Sequence, residues 1–341
     1  RSASDPDPGG KRPLHGYQWP LLSGHTGRIA VANQRKAWLY ALATVLLWST
    51  VASAFKLSLH FFAPSQLLLV ASMTSVLLLG GLLTVQRKLG LAFTTLRSQP
   101  GFFIALGFLN PALYYLLLFE AYRLLPAQQA QAINYTWAIA LSLLAVPFLK
   151  QRLNRFDLLA IVLAYLGALV IATRGDPLSL HFDSGAGVLF ALASTLIWAG
   201  YWILNTRNRT DPLISLFLTF GCSLPFTLIA CGWLSNYHLL AWQGWLGAIY
   251  VGLFEMGIAF VLWLLALRHA SQAAHISNLI FLSPFLSLLL LRSLVGEPIA
   301  PATPLGLLLI VAALLLQQWP VWRQKRVQLK PNTPTKMKSG G

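Results

Sequence analysis

The chain has 341 residues, of which 56% are hydrophobic and 10% charged, and its mean hydropathy is +0.64; soluble domains carry about 25% charged residues, so a soluble globular fold is excluded. The formal charge of +16 does not point to nucleic acid, because a nucleic-acid reader gathers its basic residues on one solvated face, whereas here they sit in short breaks between apolar runs. Cys222 and Cys231 share one apolar segment; about half a turn out of phase on a helix, they suggest neither a disulfide framework nor a thiolate metal site.

In chain order, residues 1–36, with "DPDPGGKRP" and "LLSGHTGR", have no apolar core and no cleavage signature and read as a cytoplasmic tail. Ten apolar runs follow, near 37–58, 64–85, 101–122, 127–149, 155–173, 185–206, 212–234, 244–267, 272–291 and 303–319, each close to the roughly 20 residues that cross a bilayer as a helix. The breaks carry turn residues, as in "FAPS" at Phe62, "RGDP" at Arg174, "TDP" at Thr210 and "GEPIAP" at Gly296. Residues 174–184 form an external linker, and the basic, Pro-containing stretch 321–341 a second cytoplasmic tail. On this layout one side holds 21 of the 25 Lys and Arg residues and the other holds Arg123, Arg174 and Arg292, with Lys56 inside the first run. The positive-inside rule then places both termini in the cytoplasm, supports an even number of spans and suits an inner (plasma) membrane.

The chain repeats itself. "LYALATVLLW" from Leu39 and "LFALASTLIW" from Leu189 share six of ten residues, and "GFLNPALYYLLLFEAYR" from Gly107 aligns with "GLFEMGIAFVLWLLALR" from Gly252. A repeat of five spans is odd in number, so its copies, 37–173 and 185–320, have opposite orientations. The expected fold is an all-α polytopic membrane protein of ten transmembrane helices, two inverted five-helix repeats around a central cavity, with a substrate site near the midplane.

Glu255 lies about 18 Å into its span at 1.5 Å per residue, and its counterpart in the repeat is Asn110. A charge at that depth costs on the order of 3 kcal/mol and faces a bundle interior or a water-filled cavity. Three roles are open for Glu255: a proton-coupling group, a counter-charge for a cationic substrate group, or a hydrogen-bonding partner for a neighbouring helix. Ser49, Asn134, Tyr135, Tyr201 and Asn278 supply polar groups at matching depth, and Trp48, Tyr114, Tyr115, Trp137, Trp198 and Phe281 place aromatic rings near span centres, away from the interfacial belts. Central rings suit a pocket for an apolar or aromatic solute, or ordinary packing. Pro111 and Pro284 interrupt spans and are hinge candidates or static kinks. Lys56 and Glu120 sit near outer helix ends, where a peripheral ion pair or solvated ends are expected. No HExxH, GxSxG, P-loop or phosphate-cradling glycine run occurs, so neither an enzyme, a cofactor nor a metal is expected.

The segments "LLWST" at Leu46, "INYTWAIALSLLAVPFL" at Ile133, "LIWAGYWILNTR" at Leu196, "GLFEMGIAFVLWLLALRHAS" at Gly252 and "ISNLIFLSPFLSLLLL" at Ile276 with its following "GEP" resemble EamA-type proteins of the drug/metabolite transporter superfamily. The resemblance covers residues 37–320 and implies a ten-helix basket for secondary transport of small metabolites. "LLWST", "INYTW" and "IWAGY" are similar to segments of aromatic amino acid exporters, which makes Trp48, Asn134, Tyr135, Trp137, Trp198 and Tyr201 candidates for the cavity wall. Ala138 replaces the proline common after "NYxW", "KQRL" at Lys150 replaces the usual Gly-Glu pair, and Glu255 lies outside the exporter resemblance. The expected function is alternating-access transport of a small organic metabolite, an amino acid or related compound, out of the cell, in contact with the lipid bilayer and with protons as the candidate coupling ion. A gradient-independent facilitator or exchanger, and a scaffold or receptor acting through the basic tails, are the alternatives. Gly80, Gly81 and Gly167 permit close helix packing within or between chains.

Overall fold

The computed structural model describes residues 33–150, 153–178, 182–238, 241–270 and 278–328; most of both expected tails lies outside them. The described residues form helices and turns without a strand. In chain order these are α1 (Gln34–Ser58), α2 (Pro64–Val85), α3 (Leu89–Ser98), α4 (Pro100–Gly107), α5 (Tyr114–Leu124), α6 (Ala127–Asn134), α7 (Trp137–Leu149), α8 (Arg155–Ala172), α9 (Gly185–Asn205), α10 (Pro212–Leu234), α11 (Trp242–Tyr250), α12 (Ala259–His269), α13 (Ser283–Leu290) and α14 (Ala302–Gln328). π-helical stretches at Phe108–Leu113 and Val251–Ile258 join α4 to α5 and α11 to α12.

Among the described residues, eight helical segments are long and apolar enough to cross a membrane: α1, α2, α4–α5, α6–α7, α8, α9, α10 and α11–α12. Two further apolar segments, Leu279–Val295 and Ala302–Gln317, are shorter, and the expected ninth span starts within residues 271–277, outside the described residues. Helix α3 falls in the break between the second and third apolar runs. It buries only Ala92 and leaves Leu91 and Phe93 exposed.

The helix starts follow from local chemistry. The first amides of a helix have no internal acceptor, and Asn154, Ser184 and Asp211 accept from them at the heads of α8, α9 and α10. Proline opens α2, α4 and α10, where its missing N–H costs nothing. No side chain caps α6 locally. Its first amides instead donate to Glu297, at 2.9 Å from Ala127 and 3.2 Å from Gln128.

The packing is paired between the halves. Helix α1 lies along α12 and α13, α9 along α5 and α7, α2 along α10, and α8 along α14. Exchanging each helix for its repeat counterpart returns the same set of pairs. Where α8 crosses α14, a Cβ on Gly167 would stand 2.6 Å from the Gly306 carbonyl oxygen, and one on Gly306 2.6 Å from that of Gly167. Only two glycines allow backbones to approach so closely.

Candidate functional site

Both halves interrupt their third span at corresponding residues. In the first half Asn110 precedes Pro111, a position from which the α conformation is sterically disfavoured, and its dihedrals are extended at φ −144°, ψ 122°. Pro111 also has no amide to return to the preceding turn. In the second half Val251–Ile258 widens to a π-helix with no proline. There Ser75 on α2 donates to the Met256 carbonyl at 3.2 Å. A glycine seats each break on a helix of the other half: a Cβ on Gly107 would collide with the Thr219 carbonyl of α10, and one on Gly252 with the Ala71 carbonyl of α2.

The second break carries Glu255. Tyr115, 1% exposed, donates its phenol to Glu255 Oε1 at 3.0 Å. Glu255 Oε2 is buried with no hydrogen-bond partner. Asn110 on the first break, also 1% exposed, likewise has a buried, partnerless Oδ1. The Tyr201 phenol lies against the Asn110 amide, and Tyr115, bonded to Glu255, meets the Tyr114 ring edge-on at 4.8 Å. Two spare acceptors, one from each half, therefore belong to one tyrosine-rich cluster.

An aromatic stack completes the cluster. Trp198 on α9 stacks between Tyr114, at 4.6 Å between centroids, and Tyr201, at 5.3 Å. Trp137 meets it edge-on at 6.2 Å and Trp202 at 5.6 Å. Asn134 donates to the Tyr114 hydroxyl at 3.0 Å. Tyr135 adjoins Ser283, whose hydroxyl accepts from Ser49 at 3.5 Å. The structure thus brings together Asn110, Tyr114, Asn134, Tyr135, Trp137, Trp198, Tyr201 and Glu255, with Ser49 at the edge.

Other expected residues lie elsewhere. Trp48 packs on Phe260, at 5.8 Å, and Trp263, at 5.5 Å, on α12, away from the Trp198 stack. Phe281 rests against the main core. Asn278 begins a 3-10 turn, Asn278–Leu282, and its side chain lies outside the described residues. Pro284 stands in the first turn of α13, where the 3-10 turn Asn278–Leu282 passes into that helix within the segment Leu279–Val295, and Pro111 stands inside the first break. Lys56 and Glu120 do not pair. Lys56 Nζ donates to the carbonyls of Tyr122, at 2.9 Å, and Leu125, at 2.8 Å, while Glu120 pairs with Arg123 at 2.7 Å.

Sequence reasoning missed the bond from Tyr115 to Glu255, the place of Trp202, and the network around Gln128. Gln128 Nε2 donates to the Pro298 carbonyl at 2.8 Å, and its Oε1 accepts from Ala300 N at 3.0 Å and from Thr303 at 2.7 Å. The signal for that network was the uncapped "PAQQ" start of α6, whose amides had to find an acceptor from elsewhere. Among the described residues no three His, Cys, Asp or Glu side chains are grouped to hold a metal ion.

A family model described as "EamA-like transporter family" matches residues 35–173 and 185–317. The chain is 25% identical over 279 residues to "Uncharacterized transporter YvbV" of Bacillus subtilis (strain 168), covering 80% of this chain and 88% of that protein. It is 25% identical over 295 residues to "Aromatic amino acid exporter YddG" of Ancylobacter novellus, covering 83% and 96%. A solved crystal structure superposes with a TM-score of 0.57 at 20% identity, covering 86% of this chain and 100% of that one; this likeness concerns the fold.

Proposed function

The chain belongs to the EamA-like transporter family and is an integral membrane protein, and from that premise we propose that it is a secondary transporter exporting a small organic metabolite, an amino acid or related compound, by alternating access. In this reading ten helices form two inverted five-helix repeats, 37–173 and 185–320, joined by an external linker at 174–184. Both termini, with the tails 1–36 and 321–341, lie on the cytoplasmic side of the plasma membrane. The Lys and Arg distribution supports that orientation, and the exchange-symmetric helix pairs support the repeat.

One observation carries the site: each half opens its third span at the same place and leaves a buried acceptor, Asn110 Oδ1 or Glu255 Oε2, without a partner. Buried polar atoms are almost always bonded, and a carboxylate inside a bilayer marks a substrate or ion pathway. Glu255 takes a proton or balances the amine of the substrate. Asn110, Asn134 and Asn278 supply hydrogen bonds, and Tyr114, Trp137, Trp198 and Tyr201 shape the apolar part of the site. Pro111 and the start of α13 at Pro284 are the places where the spans flex.

The test compares metabolites accumulating outside cells that express the wild-type chain or Glu255→Gln at equal membrane abundance. A compound enriched by the wild type and not by the variant is expected. Equal enrichment by both proteins removes Glu255 from the cycle, and no enrichment by the wild type removes the export reading.

A further inference from the structure

The charged groups of the chain are distributed very unevenly around this site. Among the described residues every Lys, Arg and His lies at a helix end, in α3 or in a connection. Lys56, in the last turn of α1, is committed to the carbonyls of Tyr122 and Leu125. Arg123 is held by Glu120, Arg174 by Asp183 and Lys88 by Asp211. Among the described side chains Glu255 has no ion pair, and its one bond is to a neutral phenol.

The neutral groups lean the same way. Asn110 offers a spare oxygen, Pro111 withdraws a backbone donor from the first break, and the Asn134 amide gives one of its two N–H donors to Tyr114. The only spare nitrogen donor among the buried side-chain atoms described is Trp202 Nε1. A neutral indole N–H can hold a hydroxyl or carbonyl oxygen, but it does not offset a full negative charge. A carboxylate brought into such a site would lose its water and meet a second carboxylate, whereas an ammonium has three donors to give and finds Glu255 Oε2 and Asn110 Oδ1 open.

We propose that the site is selective for the amine end of its substrate: it takes a cationic primary amine with an aromatic or apolar body and no carboxylate. This rests on the transport reading above and narrows it to the decarboxylated relatives of amino acids. Glu255 supplies the counter-charge, Asn110 a second acceptor, and the Tyr114–Trp198–Tyr201 stack the apolar wall.

Three probes of one body separate the possibilities: 2-phenylethylamine, phenylalanine and 3-phenylpropanoate, each titrated at pH 7 into the purified full chain and followed by tryptophan fluorescence and melting temperature. The expected result is 2-phenylethylamine binding at least tenfold more tightly than either carboxylate-bearing probe. Glu255→Gln, which can still accept from Tyr115, should lose that preference without a fall in the unliganded melting temperature, and Glu255→Asp should keep it. Phenylalanine binding as tightly as the amine, no binding of the amine, or an unchanged preference in Glu255→Gln overturns the inference. None of these results touches the transport reading, which falls only when the wild-type chain enriches no compound outside the cell.

Discussion

The break at Phe108–Leu113 and the break at Val251–Ile258 occupy the same place in the two halves and are made by different means. The first is dictated by covalent structure: Pro111 removes an amide and Asn110 is forced into an extended conformation. The second has no proline, and an ordinary peptide chain widens there while Gly252 presses on α2 and Ser75 bonds a carbonyl inside the break. The two halves have kept the geometry and divided the chemistry, a neutral amide on one side and a carboxylate on the other. The halves are therefore equivalent as scaffold and unequal as site.

Replacing Glu255 should expose that inequality most strongly. Losing a charge-assisted hydrogen bond to a substrate amine costs about 1.5–3 kcal/mol, so Glu255→Gln is expected to lower transport by about 10- to 150-fold. Asn110→Ala removes only a neutral acceptor and should lower it by no more than about tenfold. Flux measured in proteoliposomes at equal protein load checks both, and equal losses would abolish the distinction between the breaks.

The glycines that seat the breaks should, by contrast, behave alike. Gly107→Ala and Gly252→Ala each drive a methyl into a carbonyl of the opposing helix, and overpacking of this kind costs about 1–3 kcal/mol. Thermal unfolding in detergent should show comparable losses of stability in the two variants. A large loss in one alone would mean that the halves differ as scaffold too.

Tyr115 belongs to the second break only. Tyr115→Phe leaves Glu255 Oε1 without its donor, beside an Oε2 that already has none; the unmade bond should cost about 1–3 kcal/mol. A substrate amine can supply the missing donor, so the variant should be stabilised by bound substrate more than the wild type is. Melting curves with and without substrate decide this.

The apolar runs, their asymmetry of charge and the prominence of Glu255 could be read directly, because a bilayer forbids unpaired charge and sets a length for its helices. Pro111 likewise marked the first break, whereas the second, at Val251–Ile258, contains no proline and left no signal. What could not be read was rotation. A helix that is hydrophobic all round carries no face signal, so Trp48 and Trp198, aligned in the repeat, could not be distinguished although one turns to Phe260 and Trp263 and the other to Tyr114 and Tyr201. Long-range satisfaction of backbone groups was equally hidden. Glu297 serves α6 across the halves, and Lys56 serves carbonyls at the end of α5, and neither bond leaves a trace in local sequence.

The smallest expected effect lies at the ends of α2 and α10, where the comparison recurs in another form. Gln66 in the first turn of α2 donates to Asn236, beyond the end of α10, at 3.0 Å, while Asp211 at the head of α10 accepts from Lys88, beyond the end of α2, at 2.9 Å. One end of the helix pair is tied by amides and the other by an ion pair. Burial alone would push the Asp211 carboxyl up, but the Lys88 ammonium and the Leu213 amide outweigh it and hold the carboxyl below the usual carboxylate range. A group depressed on folding contributes its stability above its unfolded pKa, about 3.9 for Asp, and loses it as the pH falls through the lower folded value. The pair is partly exposed, at 35% and 28% of the side chains, so the contribution is under about 1 kcal/mol. Asp211→Asn should flatten a shallow decline in stability between about pH 5 and pH 3, whereas Gln66→Ala should lower stability by the same amount at every pH. Parallel pH profiles for the two variants would show that the ion pair adds no pH-dependent stability.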